Sequence, residues 1–201
     1  MIYLKRKIYN KLVDWKNNDN GQTALLIEGA RRIGKSTIAE EFAKNEYEEY
    51  ILIDFNLASK KVLDCFEDMN NLDIFFQTLS LEYNTRLYSR ESLIIFDEIQ
   101  KFPRAREAIK YLVADGRYDY IETGSLISIR ENVEAITIPS EERKLKMYPV
   151  DFEEFMEYMG EDILLDYIKI CWETKKPLEQ KYHIKAMHLF KEYLLVGGMP
   201  Q

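Results

Sequence analysis

The sequence predicts an α/β fold: a parallel sheet of short buried strands with helices packed on its faces. Two observations carry this. The first is Gly29-Ala30-Arg31-Arg32-Ile33-Gly34-Lys35-Ser36, which fits G-x-x-x-x-G-K-[ST]. It lies between the mostly apolar run Thr23–Glu28 and a segment whose Ile38, Ala39, Phe42 and Ala43 form one helical stripe. The second is Ser92–Gln100, where four apolar residues run straight into Asp97-Glu98. Continuous apolar runs are the mark of strands buried on both faces, as parallel strands are.

Each fixed position of the first motif has a physical reason. Gly29 and Gly34 let the backbone curl where a Cβ would clash, so that successive N–H groups of Gly29, Ala30, Arg31, Arg32, Ile33, Gly34, Lys35, Ser36 and Thr37 face one concavity. The concavity opens at a helix start, where unpaired N–H groups and the helix dipole favour an anion. Lys35 brings a point charge to terminal phosphates, and the Ser36 hydroxyl is a ligand for the Mg²⁺ that rides on them. Arg31 and Arg32 either add charge for the phosphates, face solvent or pair with an acid.

The second motif belongs beside the first. Ligands of a parallel sheet sit beyond the carboxyl ends of its strands. A strand adjacent to Thr23–Glu28 therefore delivers Asp97 beside Ser36, to hold Mg²⁺ through its waters or to orient them. Glu98 is the candidate base that polarises an attacking water. A kinase attacks with a substrate hydroxyl and needs no such acid.

In chain order, residues 3–16 read as an amphipathic helix with Leu4, Ile8, Leu12 and Trp15 inward, and Asn17–Gly21 as the loop after it. Tyr50–Asn56 reads as a second buried strand. Lys60–Asp68 and Leu72–Leu87 read as helices, the latter with Leu72, Phe76, Leu79 and Tyr83 on one face. A helix over 104–114 turns Ala105, Ala108, Ile109, Leu112 and Val113 inward, and Asp115-Gly116 breaks it. Tyr118–Ser125 is the next strand. Its polar end offers Thr123 or Ser125 to the γ-phosphate or its water, and Gln100 is a weaker polar candidate near the acids. Ala135–Ile138 is the candidate fifth strand. Asp151 with Glu154 three later makes a helix N-terminal box, followed by helices near 151–159, 161–174 and 178–196. Their acids Glu153, Glu154, Glu157, Glu161, Asp162 and Asp166 read as a solvated face.

Composition narrows the function. With 28 Lys and Arg against 35 Asp and Glu the net charge is −7, so the sequence does not support broad nucleic-acid binding. Cys65 and Cys171 form no C-x-x-C and read as buried free thiols in a reducing compartment. His183 and His188 are five apart, off a common helical face, and no metal cluster joins them. No run of about 18 apolar residues spans a membrane, and the N-terminus lacks a signal core. The expected location is cytoplasmic.

The chain resembles the AAA-type P-loop ATPases of bacteria and archaea whose core is followed by a C-terminal domain of unknown function. The resemblance rests on Gly29–Ser36, Phe96-Asp97-Glu98-Ile99-Gln100-Lys101 and Thr123-Gly124-Ser125, then on Tyr148-Pro149-Val150-Asp151-Phe152-Glu153-Glu154-Phe155 and Val196-Gly197-Gly198-Met199-Pro200. It implies a five-stranded parallel sheet in the order 5-1-4-3-2 flanked by helices and followed by a small helical region. It also implies ATP binding and hydrolysis. The family usually has a glycine before the arginine that precedes its proline motif; here that place is Glu142-Arg143, and Arg143 stands as a candidate to sense phosphate charge, its own or a neighbour's. Family members continue past Gly-Gly-Met-Pro, so a fragment is expected. Residues 1–150 are read as the core and 151–201 as a lid-like helical region, by fold analogy.

Three functions follow: an Mg²⁺-dependent ATPase whose hydrolysis drives a conformational change, a slow nucleotide-dependent switch or scaffold, and a small-molecule or nucleotide kinase. Glu98 and the helical tail favour the first two. The partner is ATP, with a homo-oligomer or a protein partner left open. GTP is disfavoured, since Asn10-Lys11-Leu12-Val13-Asp14 has one residue too many for the guanine-reading pattern and precedes the phosphate loop.

Overall fold

The computed structural model describes residues 6–125 and 140–199. Its described elements run α1 (Ile8–Asp19), β1 (Ala24–Gly29), α2 (Lys35–Glu46), β2 (Glu49–Asp54), α3 (Lys60–Asp64), α4 (Leu72–Glu82), β3 (Ser92–Asp97), α5 (Pro103–Asp115), β4 (Asp119–Ser125), β5 (Glu142–Met147), α6 (Phe152–Tyr158), α7 (Asp162–Thr174) and α8 (Gln180–Val196). The five strands form one sheet in the order β2-β3-β4-β1-β5, all parallel, which is the expected 5-1-4-3-2.

Side-chain alternation divides the core into two layers. Leu25 and Ile27 of β1, Leu93 and Ile95 of β3 and Ile121 of β4 face α1 and α2, where Leu12, Trp15, Ile38 and Phe42 are buried. Ala24, Leu26, Ile94, Phe96 and Tyr120 face α3, α4 and α5, with Phe66, Phe75, Leu79 and Ile109. The central strands β1 and β3 are buried at every position.

Several expectations shift. The polar residues Asn17, Asn18 and Asp19, expected as loop, belong to α1: Asn18 donates to the Asp14 carbonyl at 2.8 Å, and the helix stops only at Asn20, in the left-handed region at φ 50°. Asp19 then fastens the exit by accepting from the Thr23 N–H at 2.6 Å. The second strand is an edge strand, so Tyr50, Leu52 and Asp54 are only partly buried. The expected strand at Ala135–Ile138 lies outside the described residues; the strand beside β1 is Glu142–Met147. Glu154 is not part of a solvated face but is buried. Cys65 is partly exposed, while Cys171 is buried, and both are free thiols.

The helices after the sheet have a small core of their own, Met156, Leu164, Leu165 and Leu189. The predicted capping box is present: Asp151 accepts from the Glu154 N–H at 2.9 Å, and the Glu154 side chain accepts from the Asp151 N–H at 3.1 Å. The two tryptophans divide between the regions: Trp15 is 3% exposed beneath the sheet, and Trp172 on α7 is 75% exposed. No helix of the described residues is long and apolar enough to cross a membrane.

Candidate functional site

The loop between β1 and α2 is shaped from below and from the side. A Cβ on Gly29 would run into the Met147 carbonyl of β5 and the Ile33 side chain, so only glycine permits this approach of the strands. Arg32 at φ 62° and Gly34 at φ 89° take left-handed conformations that curl the chain. Ile33 has no exposed surface and pins the loop to the α1–α2 layer.

Lys35 opens α2 and is buried, with its ammonium turned onto the Ala30 carbonyl at 2.8 Å and the Gly29 carbonyl at 3.4 Å. Burial pulls its pKa down, opposed by the charges of Glu98 and Asp97 and aided by Arg31. The lysine is thus folded back on its own loop, its charge held by two loop carbonyls.

Sheet order brings the second motif alongside. The Ser36 hydroxyl donates to Asp97 Oδ1 at 2.6 Å, and the Thr123 hydroxyl donates to the same carboxylate. Thr123 in turn accepts from the Glu98 N–H at 3.3 Å. Three elements therefore meet in one chain of hydrogen bonds, from the end of β3 through β4 to the start of α2. Glu98 sits at φ 56°, a left-handed conformation unusual for a non-glycine residue, which turns its side chain away from the strand line. Its carboxylate accepts from the Gln100 amide.

An open cavity of about 730 Å³ is lined by Arg31, Arg32, Gly34, Lys35, Ser36, Thr37, Glu98 and Met199. A second cavity of about 730 Å³ beside α4 is lined by Asp73, Phe76, Ser80 and Arg117, with Arg117 already paired to Asp115 and Asp73. Chemistry separates the two: the first joins a backbone anion cradle, a lysine and the Glu98 carboxylate, with Asp97 held behind Ser36. Donors and acceptors there suit a nucleotide with Mg²⁺, since a hydroxyl and a carboxylate 2.6 Å apart form the paired oxygen set that this ion takes.

The other predicted residues divide. Thr123 has no exposed surface and is spent on Asp97 and the Glu98 amide, whereas Ser125 is half-buried at the strand end level with Gly29. Arg143 is exposed and stands opposite Leu25, four residues before the Gly29 level, so it is not brought to this cavity; the offset is about 13 Å along the sheet.

Sequence reading gave no role to Met199, which reaches the cavity because the chain after α8 returns to the sheet. There the Val150 N–H donates to the Gly198 carbonyl at 2.7 Å, and Tyr193 donates to the Val150 carbonyl at 2.9 Å. The signal was Gly197-Gly198: a Cβ on Gly198 would meet the Val150 carbonyl.

A search of the curated proteins finds no match. Among solved structures, the Aeropyrum pernix Orc1 protein in complex with DNA is similar, with 11% identity and a TM-score of 0.50 over 79% of this chain and 50% of that one. The Thermotoga maritima RuvB Holliday junction branch migration motor gives 14% identity and a TM-score of 0.45 over 81% of this chain and 52% of that one. The chain thus spans about half the length of these structures, and at such identity the first shows a shared fold. A family described as AAA domain matches residues 21–156, which include the phosphate loop, both acids, Thr123 and Arg143. With more than half its length matched, the chain belongs to that family of AAA domains.

Proposed function

We propose that the protein is an Mg²⁺-dependent ATPase that couples hydrolysis to movement of its helical region. The observation that carries the reading is the hydrogen-bonded chain Ser36–Asp97–Thr123–Glu98 at the mouth of the phosphate loop. The residues fit a nucleotide–Mg²⁺ pair: the loop amides and Lys35 would hold the phosphates, and Ser36 and Asp97 would hold the ion. Bound there, Mg²⁺ would draw charge from the phosphates. Glu98 lines the same cavity, which supports its role as the base that takes the proton of an attacking water. Thr123 fixes Asp97 and the Glu98 backbone, and acts as a positioning residue. Ser125 remains the candidate for direct phosphate contact. Residues 1–150 act as the core and 151–201 as a lid, with Met199 as the lid's contact with the cavity. Free thiols agree with a cytoplasmic setting.

A slow switch or scaffold is the second reading, and one placement favours it. Arg31 and Arg32 are the arginines lining the cavity, while Arg143 lies at the far end of β5. An arginine from a second subunit or another protein would then complete the site and set turnover. Steady-state hydrolysis of ATP and GTP with Mg²⁺, across protein concentration, tests both readings. The ATPase reading expects ATP turnover; specific activity rising with concentration points to a shared site. Tight ATP binding without turnover at any concentration moves the conclusion to the switch. Absence of ATP binding removes both.

A further inference from the structure

Arg6 is a buried cation that the proposed chemistry does not use. Its side chain is 6% exposed, at the entry to α1. One guanidinium nitrogen donates to the Ile33 carbonyl at 3.0 Å, and the other donates to the Tyr148 carbonyl at 2.6 Å. Its Nε lies 3.2 Å from Glu154, whose side chain is 5% exposed. Glu154 also accepts from the Lys7 N–H at 2.7 Å and belongs to the capping box of α6. One side chain thus ties the phosphate loop, the exit of β5 and the first helix of the helical region.

The bond to Ile33 has a geometric consequence. In a trans peptide the C=O of one residue and the N–H of the next point in opposite directions. Arg6 holds the Ile33 carbonyl on the side away from the cavity. The N–H of the same peptide unit belongs to Gly34, which lines the cavity. A charged donor on the carbonyl also polarises the unit and strengthens its N–H as a donor. The Ile33 side chain, buried in the core, fixes the unit from its other end. We propose that Arg6 is a positioning residue for the nucleotide: it aims the Gly34 N–H at the phosphates and, through Glu154, links that aim to the seating of α6. The proposal rests on the phosphate-loop reading.

The test measures Mg-ATP affinity by calorimetry and Tm without nucleotide, for wild type, Arg6→Lys, Arg6→Gln and Leu79→Ala. Leu79 is fully buried in the opposite core layer and reports destabilisation alone. The expected order is a loss of about threefold for Arg6→Lys, which keeps one charged donor, and at least tenfold for Arg6→Gln. Leu79→Ala should lower Tm yet bind within twofold of wild type. In the amide spectrum of Arg6→Lys without nucleotide, Gly34 should move more than the other loop residues. Arg6→Gln binding within twofold of wild type would overturn the proposal, as would affinity that tracks Tm across all the variants. If Arg6→Gln fails to fold, Arg6→Lys decides: unchanged affinity together with an unmoved Gly34 amide overturns it. A wild type that binds no nucleotide removes the phosphate-loop reading itself and this proposal with it, so the two failures are distinct.

Discussion

At the scale of single residues, the adjacent acids Asp97 and Glu98 stand in different settings. Asp97 holds two hydroxyls at the end of a buried strand, while Glu98 turns into the cavity. Asp97→Ala should therefore weaken Mg²⁺-dependent binding and turnover together. Glu98→Gln should bind ATP as well as wild type and lose about 10²–10⁴ in hydrolysis, read by phosphate release beside a binding assay. Lys35→Ala should lose at least tenfold in Mg-ATP affinity, because a charge-assisted bond to phosphate contributes roughly 1.5–3 kcal/mol. The expected loss is a difference, since the lysine would have to leave the Ala30 carbonyl to meet a phosphate. A separate acid concerns stability. Glu122 on β4 has no exposed surface, and neither of its oxygens accepts a hydrogen bond. Burial, then the nearby Glu142 carboxylate, push its pKa well above the ordinary value, against the pull of Arg106. Arg106 is committed to Glu142 by two bonds of 2.7 and 2.8 Å. Below about pH 4.3, where unfolded Glu also carries its proton, the site costs nothing. As pH rises the unfolded chain ionises first, and stability falls until the folded pKa is passed. Glu122→Gln, neutral at every pH, should raise Tm over wild type at pH 8, with the gain shrinking towards pH 4.5.

At the scale of elements, the strand that ends in two acids was legible because continuous apolar runs admit few structures, and Ser92–Asp97 is the strand observed. The inward face of the helix at Pro103–Asp115 was legible for the same reason of period, and its five predicted residues are buried. What the pattern missed are polar residues that burial has paired. Arg106 sits on that same inward face, and Glu154 reads as one more acid of a charged helix until Arg6, 148 residues earlier, closes on it. Partners so distant leave no local trace. The edge position of β2 was equally hidden, since strand order is a property of the sheet. Arg143 was carried to the site by resemblance alone, and strand register puts it elsewhere. The capping box was readable because its two members are three residues apart. Asp151→Ala should cost about 1 kcal/mol of the helical region's stability, seen as a lower Tm with the sheet's amide protection retained.

On the scale of the whole molecule, two cores of unequal size predict unequal opening. The sheet layers hold many fully buried side chains, whereas the helical region buries Met156, Leu164, Leu165 and Leu189 and leaves Ile163, Ile184, Leu194 and Leu195 more than half exposed. Native-state hydrogen exchange should find β1, β3 and β4 protected to the global limit, with α7 and α8 opening at lower free energy. Mg-ATP should slow exchange at Gly34–Thr37 and, if Met199 closes on the nucleotide, near Gly198. The division of the two tryptophans gives each of these events its own light. Trp15, shut beneath the sheet with its indole N–H 3.4 Å from the Thr23 hydroxyl, emits from an apolar site that iodide does not reach. Trp172, in water beside Lys175, emits at longer wavelength and is open to the quencher. The blue edge of the emission should therefore follow the sheet, and the iodide-sensitive red edge the helices, so that one unlabelled sample reports whether the two regions melt together or apart.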